Sequence, residues 1–92
     1  RQELGRLEAA LADIDRAIEL GPPDAELLRQ RAAVRRASGQ LAGAVADLRG
    51  ALELDPDHAW TLREQAEVLV LAGDPGAALA PLDRAVALEP DT

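Results

Sequence analysis

Glu64 and Glu67 lie three residues apart, a spacing that puts two carboxylates on one face of a helix. Two facing carboxylates are the equipment of general acid–base hydrolysis, provided burial raises the pKa of one of them. Asp13 and Asp15 are two apart and point to different faces of a helix, so they form no such pair. His58 is the only histidine and is flanked by Asp55 and Asp57. Metal ligation needs several donors converging at defined geometry. An Asp-Pro-Asp-His turn instead reads as the entrance to a helix. The chain has no cysteine, no Ser-His-Asp set and no Gly-rich phosphate loop. Catalytic, cofactor-binding and metal-ligating residues are therefore all assigned as none, and the protein is not expected to be an enzyme.

Binding chemistry is better represented. Trp60 is the sole aromatic, and it shares a helical stripe with Glu64, Glu67 and Leu71 at i, i+4, i+7 and i+11. Arg29, Ala33 and Arg36 form another such stripe. An aromatic beside charges of both signs suits a peptide that carries charges of its own, with the aromatic as anchor.

Those stripes must be positioned by helices, and the helices recur. Gly5, Gly39 and Gly73 stand 34 residues apart, and the interval is kept by Ala10, Ala44 and Ala78. It is kept again by Ile14, Leu48 and Leu82, by Ala17, Ala51 and Ala85, and by Pro22, Pro56 and Pro90. A fixed period of this length marks stacked supersecondary units. Five helices are predicted, over about 6–20, 24–38, 41–54, 58–72 and 75–88. Leu7, Leu11, Ile14 and Ile18 form the apolar stripe of the first. Asp24, Asp57 and Asp74 are expected to cap the second, fourth and fifth, with Pro75 at the first helical position of the fifth. Gly39 and Gly73 are expected to end helices in the left-handed region. Pro81 lies about two turns into the last helix, where a kink is predicted at a cost of ~3 kcal/mol.

The frame of Gly, small residue, bulky apolar, Ala and Pro resembles the tetratricopeptide repeat (TPR) family. Gly39, Ala44, Leu48, Ala51 and Pro56 fit it, as do Gly73, Ala78, Leu82, Ala85 and Pro90. The resemblance implies an all-α fold, a right-handed α-solenoid of antiparallel helical hairpins. It divides the chain into a half repeat (1–24) and two repeats (25–58 and 59–92), about two and a half in one continuous domain. The usual first-helix aromatics are replaced by Leu28 and Arg35, then by Leu62 and Leu69. Residues 1–24 would supply the second helix of a repeat whose first helix is missing, so a piece of a longer array is expected.

In this family the first helix of each repeat lines a concave groove. The resemblance places Glu26, Arg29, Gln30, Ala33 and Arg36 there, followed by Trp60, Arg63, Glu64, Glu67 and Val70. Arg29, Gln30, Arg36, Trp60, Arg63, Glu64 and Glu67 are the expected partner contacts. An open groove gives Glu64 and Glu67 no burial to raise a pKa. The competing reading of the charges is that Arg29 or Arg36 pairs with Glu64 or Glu67 across the groove. The family's carboxylate clamp for chaperone C-termini uses Lys and Asn, and its backbone-holding ladder uses Asn; this chain has neither residue. A separate pair, Arg31 with Asp47, is predicted inside the hairpin, since Gln65 and Pro81 replace both charges together one period on.

The formal charge of −7, from 17 acidic residues against 10 arginines, argues against nucleic acid. No apolar run approaches the ~20 residues of a membrane span. A protein or peptide partner is therefore expected, with no nucleic acid and no membrane. Self-association through the ends of the solenoid is the alternative, by way of Leu7, Leu11 and Ile14 or Leu79, Leu82 and Val86. Arginine without lysine, with abundant Ala, Gly and Leu, fits a GC-rich bacterial genome, and a cytoplasmic location is expected.

Overall fold

A computed structural model describes residues 2–22 and 24–89, with the side chains of 2–4 and the prolines at 23 and 90 outside the description. Five α-helices account for most of them: α1 (Gln2–Leu20), α2 (Ala25–Ala37), α3 (Leu41–Leu54), α4 (Ala59–Leu71) and α5 (Leu79–Leu88). A single 3₁₀ turn, Gly76–Ala78, leads into α5, and among the described residues there is no strand.

Two turns are fixed by glycine. Gly39 and Gly73 adopt φ of +83° and +90°, a region costly to any residue with a Cβ. In each, two backbone bonds close over the helix end. Gly39 N–H donates to Arg36 C=O and Gln40 N–H to Arg35 C=O; Gly73 donates to Val70 and Asp74 to Leu69. This paired closure satisfies carbonyls that the helix itself leaves open. Gly5 keeps the period but lies within α1.

The helix starts bear out one of the three expected caps. Asp24 accepts the N–H of Glu26 at 2.8 Å and begins α2. Asp74 accepts the N–H of Ala77 at 3.3 Å and so caps the 3₁₀ turn, whereas α5 itself starts only at Leu79, after Ala78, without a side-chain cap, so Pro75 is not its first residue. The cap of α4 is His58, not Asp57: its Nδ1 accepts the N–H of Thr61 at 3.3 Å. Asp57 lies one residue too early for that bond and instead meets Arg84 at 2.6 Å. The kink expected at Pro81 is also corrected. The break falls ahead of it, where the 3₁₀ turn gives way to α-helix at Leu79, so Pro81 is the third residue of α5. A first-turn N–H has no intrahelical acceptor, and its absence there costs no bond.

Each helix packs on its neighbours in sequence: α1 on α2, α2 on α3, α3 on α4 and α4 on α5. α1 forms no comparable packing with α4 or α5, so the helices stack along an axis and do not close into a bundle. Alanines one period apart are buried at matching places: Ala32 and Ala66, Ala44 and Ala78, Ala51 and Ala85. Small side chains at these crossings let the helix axes approach. At the centre, Val68 of α4 closes over Ala32, Ala44 and Leu48, flanked by Leu41 and Val45. The α1 stripe Leu7, Leu11, Ile14 and Ile18 is half-buried.

Candidate functional site

α2 and α4 are the helices whose sequences carry the groove residues, and their starts set where those residues stand. His58 is locked by its cap: Nδ1 accepts from Thr61 N–H and lies 2.8 Å from Thr61 Oγ1. Its ring meets the Trp60 indole edge-on, with centroids 6.4 Å apart and planes at 78°. This is a favourable aromatic geometry and orients the indole. Trp60 remains 44% exposed. Across from it on α2, Glu26 accepts from Arg29 Nη2 at 3.1 Å and from Gln30 Nε2 at 3.4 Å. Arg29 is largely covered, and its Nη1 is buried without an acceptor.

Together Glu26, Arg29, Gln30, Ala33, His58 and Trp60 line one open cavity of about 330 Å³. Three of the expected contacts, Arg29, Gln30 and Trp60, are brought together here. Glu26 and Ala33 were groove positions by resemblance. His58 is the addition. Its sequence context signalled a helix entrance, which it is, but the two-residue step to Trp60 also puts it on the cavity wall.

The remaining charges divide. Arg36 reaches from α2 to α4, where Nη1 bonds Glu64 Oε1 at 2.8 Å and Nη2 bonds Glu67. The pKa of Arg36 is raised, first by the bond to Glu67 and then by Glu64. These three side chains satisfy one another, as the competing reading of the charges anticipated for Arg36. Arg29 pairs within its own helix instead. Arg63 bonds Glu89 and lines a second, more apolar hollow of about 270 Å³ with Ala66, Glu67, Val70, Ala78 and Leu82.

Behind the groove, the pair between Arg31 and Asp47 is present, with Nη2 to Oδ1 at 2.8 Å and Nε to Oδ1 at 3.1 Å. Asp47 is 3% exposed and also accepts from Arg35 Nη1 at 3.1 Å. Arg31 in turn holds Asp15 of α1 at 2.7 Å, so one guanidinium ties three helices. Its pKa is raised chiefly by the bond to Asp47. Arg35 and Asp15 escaped the sequence reading. The signals were the i, i+4 step from Arg31 to Arg35 and Gly43 opposite, where a Cβ would come within 3.0 Å of the Arg35 side chain. One period on, Leu69 and Ala77 replace Arg35 and Gly43.

A family profile described as tetratricopeptide repeat matches residues 35–92, well over half of the sequence. The chain belongs to the tetratricopeptide repeat family. TPR repeats are generally protein–protein interaction modules and typically non-catalytic. No curated protein matches the sequence. Among the described residues no cluster of three or more His, Cys, Asp or Glu side chains could hold a metal ion. Likewise, no helix there is long and apolar enough to cross a membrane.

Proposed function

We propose that the concave face between α2 and α4 binds a peptide segment of a protein partner, with Trp60 as its anchor. The observation that carries this reading is the cavity in which a half-exposed indole, oriented by His58, faces Glu26, Arg29 and Gln30. Large, rigid aromatics at the centre of a contact supply much of its binding energy. The Arg36–Glu64–Glu67 cluster forms the wall beside it, and Arg63 lies beyond. A single shallow groove of this kind gives affinities of about −8 kcal/mol, in the micromolar range. The reading keeps the division into a half repeat (1–24) and repeats 25–58 and 59–92, acting in the cytoplasm of a bacterium.

The reading is tested by selecting binders from a random peptide library on the wild-type chain and on Trp60→Ala in parallel. Peptides retained by the wild type and lost from the variant support it. Equal recovery on both removes Trp60 from the site.

A second reading, docking through the α4–α5 end, draws on Leu79, Leu82 and Val86, which lie exposed along α5. Under it, copies of the chain associate as concentration rises, and sedimentation over a wide concentration range decides. A strict monomer throughout counts against it.

A further inference from the structure

The two charges that line the Trp60 cavity differ in their access to solvent. Arg29 has a side chain only 14% exposed; Nη2 donates to Glu26, and Nη1 is buried. Glu26 has a side chain 61% exposed, and its two oxygens each accept one bond, from Arg29 and from Gln30. A carboxylate oxygen carries two lone pairs, so Glu26 keeps acceptor capacity on its solvent side. The half-exposed indole of Trp60 lines the same cavity. A side chain entering from solvent therefore meets an aromatic surface and a carboxylate, with the positive charge enclosed behind them.

The rest of the face adds negative charge. Each arginine on it is already bonded to a carboxylate: Arg29 to Glu26, Arg36 to both Glu64 and Glu67, and Arg63 to Glu89. Two carboxylates against one guanidinium leave the Arg36 cluster with one negative charge in excess. Glu64 and Glu67 share a helical stripe with Trp60, so that excess lies along the indole's side of α4. The chain as a whole carries −7. An incoming carboxylate is repelled by this field. A neutral side chain gains contact with the indole and no attraction from Glu26. A cation gains both, because an aromatic π system attracts positive charge and a carboxylate pairs with it.

We infer that the Trp60 cavity seats a cationic side chain, Arg or Lys, of the bound segment. The apolar stem lies along the indole, and the charged head lies between the indole and Glu26. This rests on the peptide-binding reading above and specifies its ligand. Arg brings a flat guanidinium that stacks on aromatic surfaces, and Lys a compact charge, so the experiment also separates the two.

Four pools of random heptapeptides, alike except for a fixed central Arg, Lys, norleucine or Glu, are passed over immobilised wild-type chain, Glu26→Gln and Trp60→Ala. Norleucine matches the Lys stem without its charge. The expected result is that wild type retains the Arg and Lys pools about three- to tenfold better than the norleucine pool, and the Glu pool least. The advantage should shrink as salt is raised. Arg above Lys assigns a stacked guanidinium; parity assigns the charge alone. Glu26→Gln, at an exposed position, should remove most of the advantage while still retaining the norleucine pool, with helix content by circular dichroism unchanged. Equal wild-type retention of all four pools, or an advantage kept in full by Glu26→Gln, overturns the inference. If Trp60→Ala still loses those peptides, the cavity remains a peptide site. Equal retention of every pool by wild type and Trp60→Ala removes the cavity from the peptide-binding reading as well.

Discussion

Leu48 and Leu82 occupy the same place in successive repeats, 34 residues apart, yet Leu48 is 1% exposed and Leu82 is 43% exposed. Val68 of α4 lies over Leu48, and no helix among the described residues does so for Leu82. The same residue type in the same frame thus carries different energy. Leu48→Ala should cost about 2–5 kcal/mol, and Leu82→Ala under about 1 kcal/mol. Urea denaturation of both variants checks the contrast; equal losses would contradict the packing described.

The buried charge cluster gives a second contrast. Asp47→Ala removes the buried carboxylate that Arg31 and Arg35 share, leaving Arg35 without its ion pair and Arg31 with Asp15 alone, at a cost of about 3–5 kcal/mol. Asp15→Ala removes only a half-exposed partner of Arg31 and should cost about 0–1 kcal/mol. Circular dichroism melts of the two variants read the difference. The raised pKa of Arg31 contributes stability that is complete below its unfolded value and is lost only as pH rises through the folded one. Both lie far above neutral pH, so no loss from this group is expected between pH 5 and 9.

Much of this was legible in the sequence because it depends on spacing. The period located the turns at Gly39 and Gly73, the buried alanines and the Arg31–Asp47 pair. The misreadings were local. Choosing His58 over Asp57 as the cap depends on a one-residue difference in where α4 starts, and both side chains can accept a backbone N–H. Pro81 read as a kink because Pro75 looked like a first helical residue. The 3₁₀ turn moved the α-helix start to Leu79 and made the proline harmless. In the groove, the residue types were visible, but which charges cancel was not, because Arg36 could reach α4 while Arg29 turned back to Glu26.

Glycine substitutions should separate two residues that share a place in the period. Gly39→Ala forces a Cβ into φ +83° and should destabilise by about 1–2 kcal/mol. Gly5→Ala fills open space within α1 and should stabilise by roughly 0.5–1 kcal/mol. Opposite signs in thermal melts are the expected outcome.

The cap of α4 is open to a similar check. His58→Ala removes the acceptor for Thr61 N–H and should cost about 1 kcal/mol, which His58→Asn largely restores. The same Ala variant releases the edge contact on Trp60, so its fluorescence maximum should move even where the fold is intact. An unchanged maximum would show that His58 does not orient the indole.

The central claim, that a partner segment lies between α2 and α4 on Trp60, is tested most directly by mapping amide chemical shifts on binding a library-selected peptide. Saturating shifts concentrated in residues 26–36 and 58–67, with the Trp60 indole among the largest, are the predicted result. Shifts confined to α5, or spread over α1, with the indole unmoved, would contradict it.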